Sequence, residues 1–284
     1  MSKQNRPQYF VSTDSIGVFG KPEQFVELWN EYFENKILDG VEAVAFKPLK
    51  YLNNLILTFE KSGIPVLSFH GRTGGENILD FKSRIIMTFL NNFIEEATDL
   101  FKQFPQVEYL SHTPYFENKN VFEVVIKSRP KRIWIENHLQ GRRGIEDTIK
   151  QIKIYRNNGV NACGMLDIYH YVAHKKKISP ENWSNTIEEL RSYFLMKDDR
   201  GRSFFCGIHF PIGTRLNDSL PIDNMSNEML ELFAQKIIPL VERVVFENQQ
   251  KNLGLFFSTK KMIEEQKVRN KNVFGRLKKT GIIC

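Results

Sequence analysis

Eight short runs rich in β-branched and aromatic residues, separated by stretches with apolar residues at helical spacing, recur within residues 1–250 of this 284-residue chain. Such alternation constrains the fold strongly, because a strand that re-enters a sheet in the same direction needs a connection about as long as a helix. Eight units of this kind predict a closed α/β barrel, (β/α)8, rather than an open sheet. The strand-like runs are Gln8 to Asp14, residues 41–48, Ile64 to His70, Val107 to His112, Arg132 to Glu136, Cys163 to His170, Phe204 to His209 and Arg243 to Glu247. Helices are expected from Pro22 to Phe33, through Ile56 to a stop at Ser62-Gly63, from Ile78 to Phe101, from Val121 to Lys127, and from Gly144 to a stop at Asn157-Asn158-Gly159. Ser179-Pro180 opens another, Ser226 to Lys236 a further one, and a terminal helix follows.

The strands end in an informative way. Four close in sequence order on Glu136, Asp167, His209 and Glu247, and two more deliver His70 and His112. Strands can simply stop at polar residues, but four of the six histidines (His70, His112, His170 and His209) fall at or just beyond such ends. Carboxylates and imidazoles converging at the C-terminal mouth of a barrel are a divalent-metal ligand set, whereas a ring of buried acids without a cation is costly. The donors suit Mn, Mg, Co, Fe or Zn, with one ion expected from Glu136, Asp167, His209 and Glu247. Gly71 to Gly75, GRTGG, reads as an active-site loop or a backbone anion cradle.

Composition narrows the partners. The net charge of +7 resides in residues 251–284, which hold nine Lys/Arg and two Asp/Glu, while residues 1–250 balance at 31 of each. The expected organisation is therefore a barrel over 1–250 and a basic C-terminal helix and tail over 251–284, packed on the barrel or extending from it. A neutral barrel body disfavours nucleic acid as the partner. No run approaches the ~18 apolar residues of a membrane span, and the start lacks a secretory apolar region, so a cytoplasmic location without a membrane is expected. Cys163, Cys206 and Cys284 show no ligand spacing and read as reduced thiols.

The strand-end residues carry a resemblance. IEN (Ile135 to Asn137), D-x-x-H (Asp167 to His170), His209 and FEN (Phe246 to Asn248) make residues 8–250 similar to the xylose isomerase-like TIM-barrel superfamily. Its members include sugar isomerases and epimerases and the zinc-dependent apurinic-site endonucleases of the endonuclease-four type. The epimerase branch implies that Glu136 and Glu247 bind the metal and move protons, through an enediolate, and that Asp167 completes the metal site. It also implies that His170 and Arg215, six residues after His209, contact substrate oxygens. Where that branch tends to carry a further glutamate, this chain has Arg142 followed by Arg143, which suits a phosphate or carboxylate as well as an exposed helix start. The implied function is a metal-dependent isomerase or epimerase of a carbohydrate, sugar phosphate or polyol, with a homo-oligomer left open.

The endonuclease branch implies a multinuclear phosphoesterase in which His70, His112 and Glu136 hold a second ion. Its third site needs a D-x-H after strand seven; Asp218 and Asp223 are the only acids there and neither has that partner. A multi-iron oxidative enzyme and a non-catalytic binding barrel are the remaining alternatives.

Overall fold

A computed structural model describes residues 6–13, 21–44, 49–70, 107–137, 141–172, 180–211, 225–247 and 260–283. Its strands are β1 (Gln8–Ser12), β2 (Gly40–Val44), β3 (Val66–His70), β4 (Glu108–His112), β5 (Ile133–Glu136), β6 (Ala162–Asp167), β7 (Phe205–Pro211) and β8 (Arg243–Glu247). All pair in parallel in chain order, and β8 pairs back with β1, with Gln8 opposite Arg243 and Val11 opposite Phe246, so the ring is closed. The described helices are α1 (Pro22–Glu34), α2 (Leu49–Lys61), α3 (Thr113–Glu117), α4 (Lys119–Ser128), α5 (Gly141–Asn157), α6 (Ile168–Val172), α7 (Pro180–Leu195), α8 (Asn227–Lys236) and α9 (Lys260–Lys279). The alternation read from the sequence is thus realised as a (β/α)8 barrel. The helix expected from Ile78 to Phe101 lies outside the described residues.

Alternation along each strand divides the interior in two. One set of side chains, including Val11, Val41, Ile133, Ile135, Leu166, Val244 and Phe246, faces the helices in a continuous apolar layer. The other set points to the barrel axis, where Phe10, Leu110, Trp134, Cys163, Met165, Cys206 and Val245 fill the middle. Most described strand side chains on both faces are therefore buried, as parallel strands under a helical coat require.

Several local signals act as expected. Ser62-Gly63 and Asn158-Gly159 end α2 and α5, and each glycine takes a left-handed φ of +70° or +79° that L side chains resist. Asn118 caps α4 by accepting from the Asn120 and Val121 amides, and Ser226 caps α8 through the Met229 amide.

One boundary differs from the sequence reading. The run from Cys163 to His170 is not a single strand: β6 stops at Asp167, and residues 168–172 form α6. The Asp167 carboxylate accepts the His170 backbone N–H at 3.1 Å, a local bond that competes with the strand ladder and turns the chain into a helix.

α9 is packed against the barrel wall. It buries Ile263, Val273, Phe274 and Leu277. The Phe274 ring lies 4.6 Å from Tyr32, 5.8 Å from Trp29 and 5.2 Å from Phe246 of β8. Beyond it, the Tyr9 hydroxyl of β1 donates to the Ile282 carbonyl.

Candidate metal centre

Strand register brings the polar ends together. His112 lies beside Glu136 on adjacent strands, and Asp167 lies beside His209. His70, His112, Glu136, Asp167 and Glu247 are the last residues of β3, β4, β5, β6 and β8, and His209 projects inward from β7. All six are buried. Two backbone clamps fix the level at which they emerge. Asn137 accepts the Asp167 amide at 2.7 Å and donates to its carbonyl at 3.2 Å, and the Thr113 hydroxyl donates to the Glu136 carbonyl at 2.9 Å.

The distances among these side chains are uniform. Glu136 Oε2 is 3.3 Å from His70 Nε2 and 3.3 Å from His209 Nδ1, while its Oε1 is 3.3 Å from His112 Nε2. His209 Nδ1 is also 3.3 Å from Glu247 Oε1. His170, about one-fifth exposed, places Nε2 3.4 Å from Asp167 Oδ2 and 3.9 Å from Glu136 Oε1. Yet Glu136 Oε2 and both ring nitrogens of His209 make no hydrogen bond, although they are fully buried. Such atoms are close without being aimed at one another. Ligands held about 2.1 Å from one tetrahedral or octahedral ion stand about 3.0–3.4 Å apart, so the arrangement has the edge lengths of a coordination polyhedron.

One member of the cluster was not singled out in the sequence. Glu42 of β2 is completely buried, and its Oε1 lies 3.2 Å from His70 Nδ1 and 3.2 Å from His209 Nε2. It does not close a strand-like run but sits inside GVEAVAF. The available signal was a lone carboxylate in an otherwise apolar run whose two faces must both be buried. With it, three overlapping groups among the described residues offer ligand atoms within 4.8 Å of one another: Glu136, Asp167 and His209; His70, His112 and Glu136; and Glu42, His70, His209 and Glu247.

The electrostatics follow from this crowding. Burial pushes the Glu42 and Glu136 carboxyls up, but His209 with His70 for the first, and His112 with His209 for the second, outweigh it and hold both well below the usual range. Burial opposes charge on His209 and His70 as well. For His209 the acids Glu136, Glu42 and Glu247 prevail, for His70 the acids Glu42 and Glu136, and both imidazoles are raised. His112 goes the other way, to about 4, because burial and the neighbouring imidazoles His70 and His170 exceed the pull of Glu136.

Beneath the mouth a second polar layer closes the floor. Arg243, at the start of β8, donates to Glu108 at 2.6 Å, lies between the rings of Phe10 and Trp134, and is 3% exposed. Glu108 also accepts the Trp134 indole N–H at 2.7 Å. A buried ion pair here closes the N-terminal end through Arg243 Nη2, while Arg243 Nε and Nη1 are buried without a hydrogen-bond partner.

Among the described residues, Arg142 and Arg143 are not gathered with the cluster. Arg142 opens α5 with a largely exposed side chain paired to Glu146 at 2.8 Å, and Arg143 is similarly exposed, 4.0 Å from Asp147. Arg215, the loop Gly71 to Gly75, Asp218 and Asp223 lie outside the described residues.

No family model matches the chain and no curated protein matches it. Solved structures do. The IOLI protein with a bound zinc atom shares 13% identity at a TM-score of 0.54, over 96% of this chain and 99% of that one. The 3-keto-D-glucoside 4-epimerase YcjR from E. coli shares 12% identity at a TM-score of 0.52, over 95% and 100%. A sugar phosphate isomerase/epimerase from Parabacteroides distasonis shares 13% at 0.51, over 97% and 98%. A Planctomyces limnophilus xylose isomerase domain protein shares 12% identity at 0.52, over 97% of each chain. At such identities the similarity is one of backbone, and it spans 95–97% of this chain. The protein has the (β/α)8 barrel fold that these structures share.

Proposed function

We propose that the protein is a divalent-metal-dependent isomerase or epimerase acting on a sugar, sugar phosphate or related polyol. The observation that carries this reading is the pair Glu136 and Glu247, each with a carboxylate oxygen 3.3 Å from the same His209 nitrogen at the mouth of a closed barrel. Sugar epimerases among the solved structures of the same fold support it. Glu136, Asp167, His209 and Glu247 would hold the ion, and imidazole among the donors favours Zn, Fe, Co or Mn over Mg. A bound ion would polarise neighbouring carbonyl and hydroxyl oxygens and so acidify the adjacent C–H bond.

The residues then divide the work. Glu247, at 6% exposure the more open of the two acids, takes the proton from the substrate carbon, so that a C–H bond breaks and a carboxyl O–H forms. Glu136 returns a proton to the neighbouring carbon in isomerisation, or to the same carbon in epimerisation. His170, partly exposed beside Asp167, faces the open end and hydrogen-bonds a substrate hydroxyl. Arg142, once released from Glu146, and Arg215 are the proposed contacts for outer oxygens or a phosphate.

The test is proton exchange in D2O across a panel of ketoses and their phosphates, with the protein loaded with Mn or Zn. Deuterium should enter at one substrate carbon, and E247Q should slow this about 10²- to 10⁴-fold while keeping the fold. Absence of exchange with every member of the panel would overturn the reading.

The group His70, His112 and Glu136 favours a second reading. Two ions bridged by Glu136 suit hydrolysis of a phosphate ester. Metal stoichiometry before and after replacing His70 and His112 by Ala separates the two. One ion per chain, unaffected by the replacements, supports the isomerase; two, falling to one, support the phosphoesterase.

A further inference from the structure

Glu42 has a distinctive placement. Its Oε2 accepts the buried Ser68 hydroxyl at 3.2 Å, which pins the carboxylate one inward position below His70 on the neighbouring strand. Its Oε1 is then 3.2 Å from a nitrogen of each of two imidazoles, His70 Nδ1 and His209 Nε2, which belong to strands on opposite sides of β1. The other nitrogen of each ring, His70 Nε2 and His209 Nδ1, faces Glu136 Oε2 at 3.3 Å. So one carboxylate meets the back of two rings whose fronts converge on another.

An imidazole that ligates an ion uses one nitrogen and must place the proton of the second on an acceptor, which fixes the tautomer and ring orientation. We infer that Glu42 is a shared positioning residue: its Oε1 lies close to both rings without a hydrogen bond, and with an ion at Glu136 it would accept Nδ1–H of His70 and Nε2–H of His209 and so turn His70 Nε2 and His209 Nδ1 toward the ion or ions there. This rests on the metal reading above and assigns a role outside the ligand set that reading uses. Glu42, His70, His209 and Glu247 also lie close enough to hold an ion themselves. That arrangement would take His209 and Glu247 away from Asp167 and Glu136, or require His209 to bind ions through both nitrogens. A carboxylate behind both rings serves the same geometry without either demand.

The experiment is zinc titration by calorimetry of the wild-type protein, Glu42→Leu, Glu42→Gln and Ser68→Ala, with long-range 1H–15N NMR of the zinc-loaded wild type. Glu42→Leu should weaken zinc binding about 10- to 100-fold at unchanged stoichiometry, and Glu42→Gln, which keeps an acceptor, should recover most of it. Ser68→Ala should give a smaller loss. The NMR spectrum should place the remaining proton on Nδ1 of His70 and Nε2 of His209, a readout that needs no variant. One ion fewer in both Glu42 variants would make Glu42 a ligand and overturn the inference, as would unchanged affinity or protons on the opposite nitrogens. A wild-type protein that binds no zinc removes the metal reading itself, and the first titration reveals that separately.

Discussion

At the scale of single residues, the mouth stores opposing proton affinities, and these give the metal-free protein a characteristic pH dependence. His70 and His209 are raised above the usual imidazole value, so the stability they contribute is full below about pH 6.5 and drains away as pH rises through their raised values. His112, lowered to about 4, stays neutral in the fold while the unfolded chain takes up a proton, so stability is lost from about pH 6.5 downward. Glu42 and Glu136, held low by their imidazole neighbours, add a further loss below about pH 4.5. With chelator present, the melting temperature should therefore peak near pH 6–7 by the same linkage. A continuous rise towards pH 9 would contradict the assignment. Replacing His112 by Asn should flatten the acidic limb alone.

At the scale of elements, strand ends were legible and strand interiors were not. Polar residues that close β-rich runs stand out against apolar neighbours, which is why His70, His112, Glu136, Asp167, His209 and Glu247 could be picked from sequence. Glu42, Glu108 and Arg243 lie within or at the start of strands, where a charged residue is equally compatible with an exposed edge; only ring closure turns them inward. Their pairing makes a measurable claim. Glu108→Leu leaves Arg243 buried without its acid and should cost about 3–5 kcal/mol in a denaturant melt, whereas pairing it with Arg243→Met should recover most of that loss. Strand contacts are equally exacting at Gly164 of β6, where an added Cβ would stand 2.5 Å from the Phe205 ring and 3.1 Å from the Phe204 carbonyl. Gly164→Ala should destabilise by about 1–3 kcal/mol, read as a lowered melting temperature. β6 ends at Asp167, earlier than its residue types imply, because the Asp167 carboxylate accepts the His170 backbone N–H and competes with the strand ladder.

At the scale of the whole molecule, the chain's two ends share one wall. β1 pairs with β8, and α9 lays Phe274 against Phe246, Trp29 and Tyr32. Phe274→Ala should cost about 3–5 kcal/mol in global unfolding; a change confined to local opening near residues 260–283, as seen by hydrogen exchange, would show α9 to be dispensable to the ring. The basic excess of the C-terminal segment was plain from composition, but its apolar stripe reads only as one helix face, and nothing in composition says which wall that face meets. Closure has another consequence. Glu108 on β4 finds its cation on β8, and Glu42 on β2 lies between imidazoles from β3 and β7. A ribosome that has released the first four strands has therefore produced Glu108 before Arg243, and Glu42 with only one of its two imidazoles. Half a barrel is electrostatically unfinished: only the ring closed between β8 and β1 gives each of these acids its full set of partners.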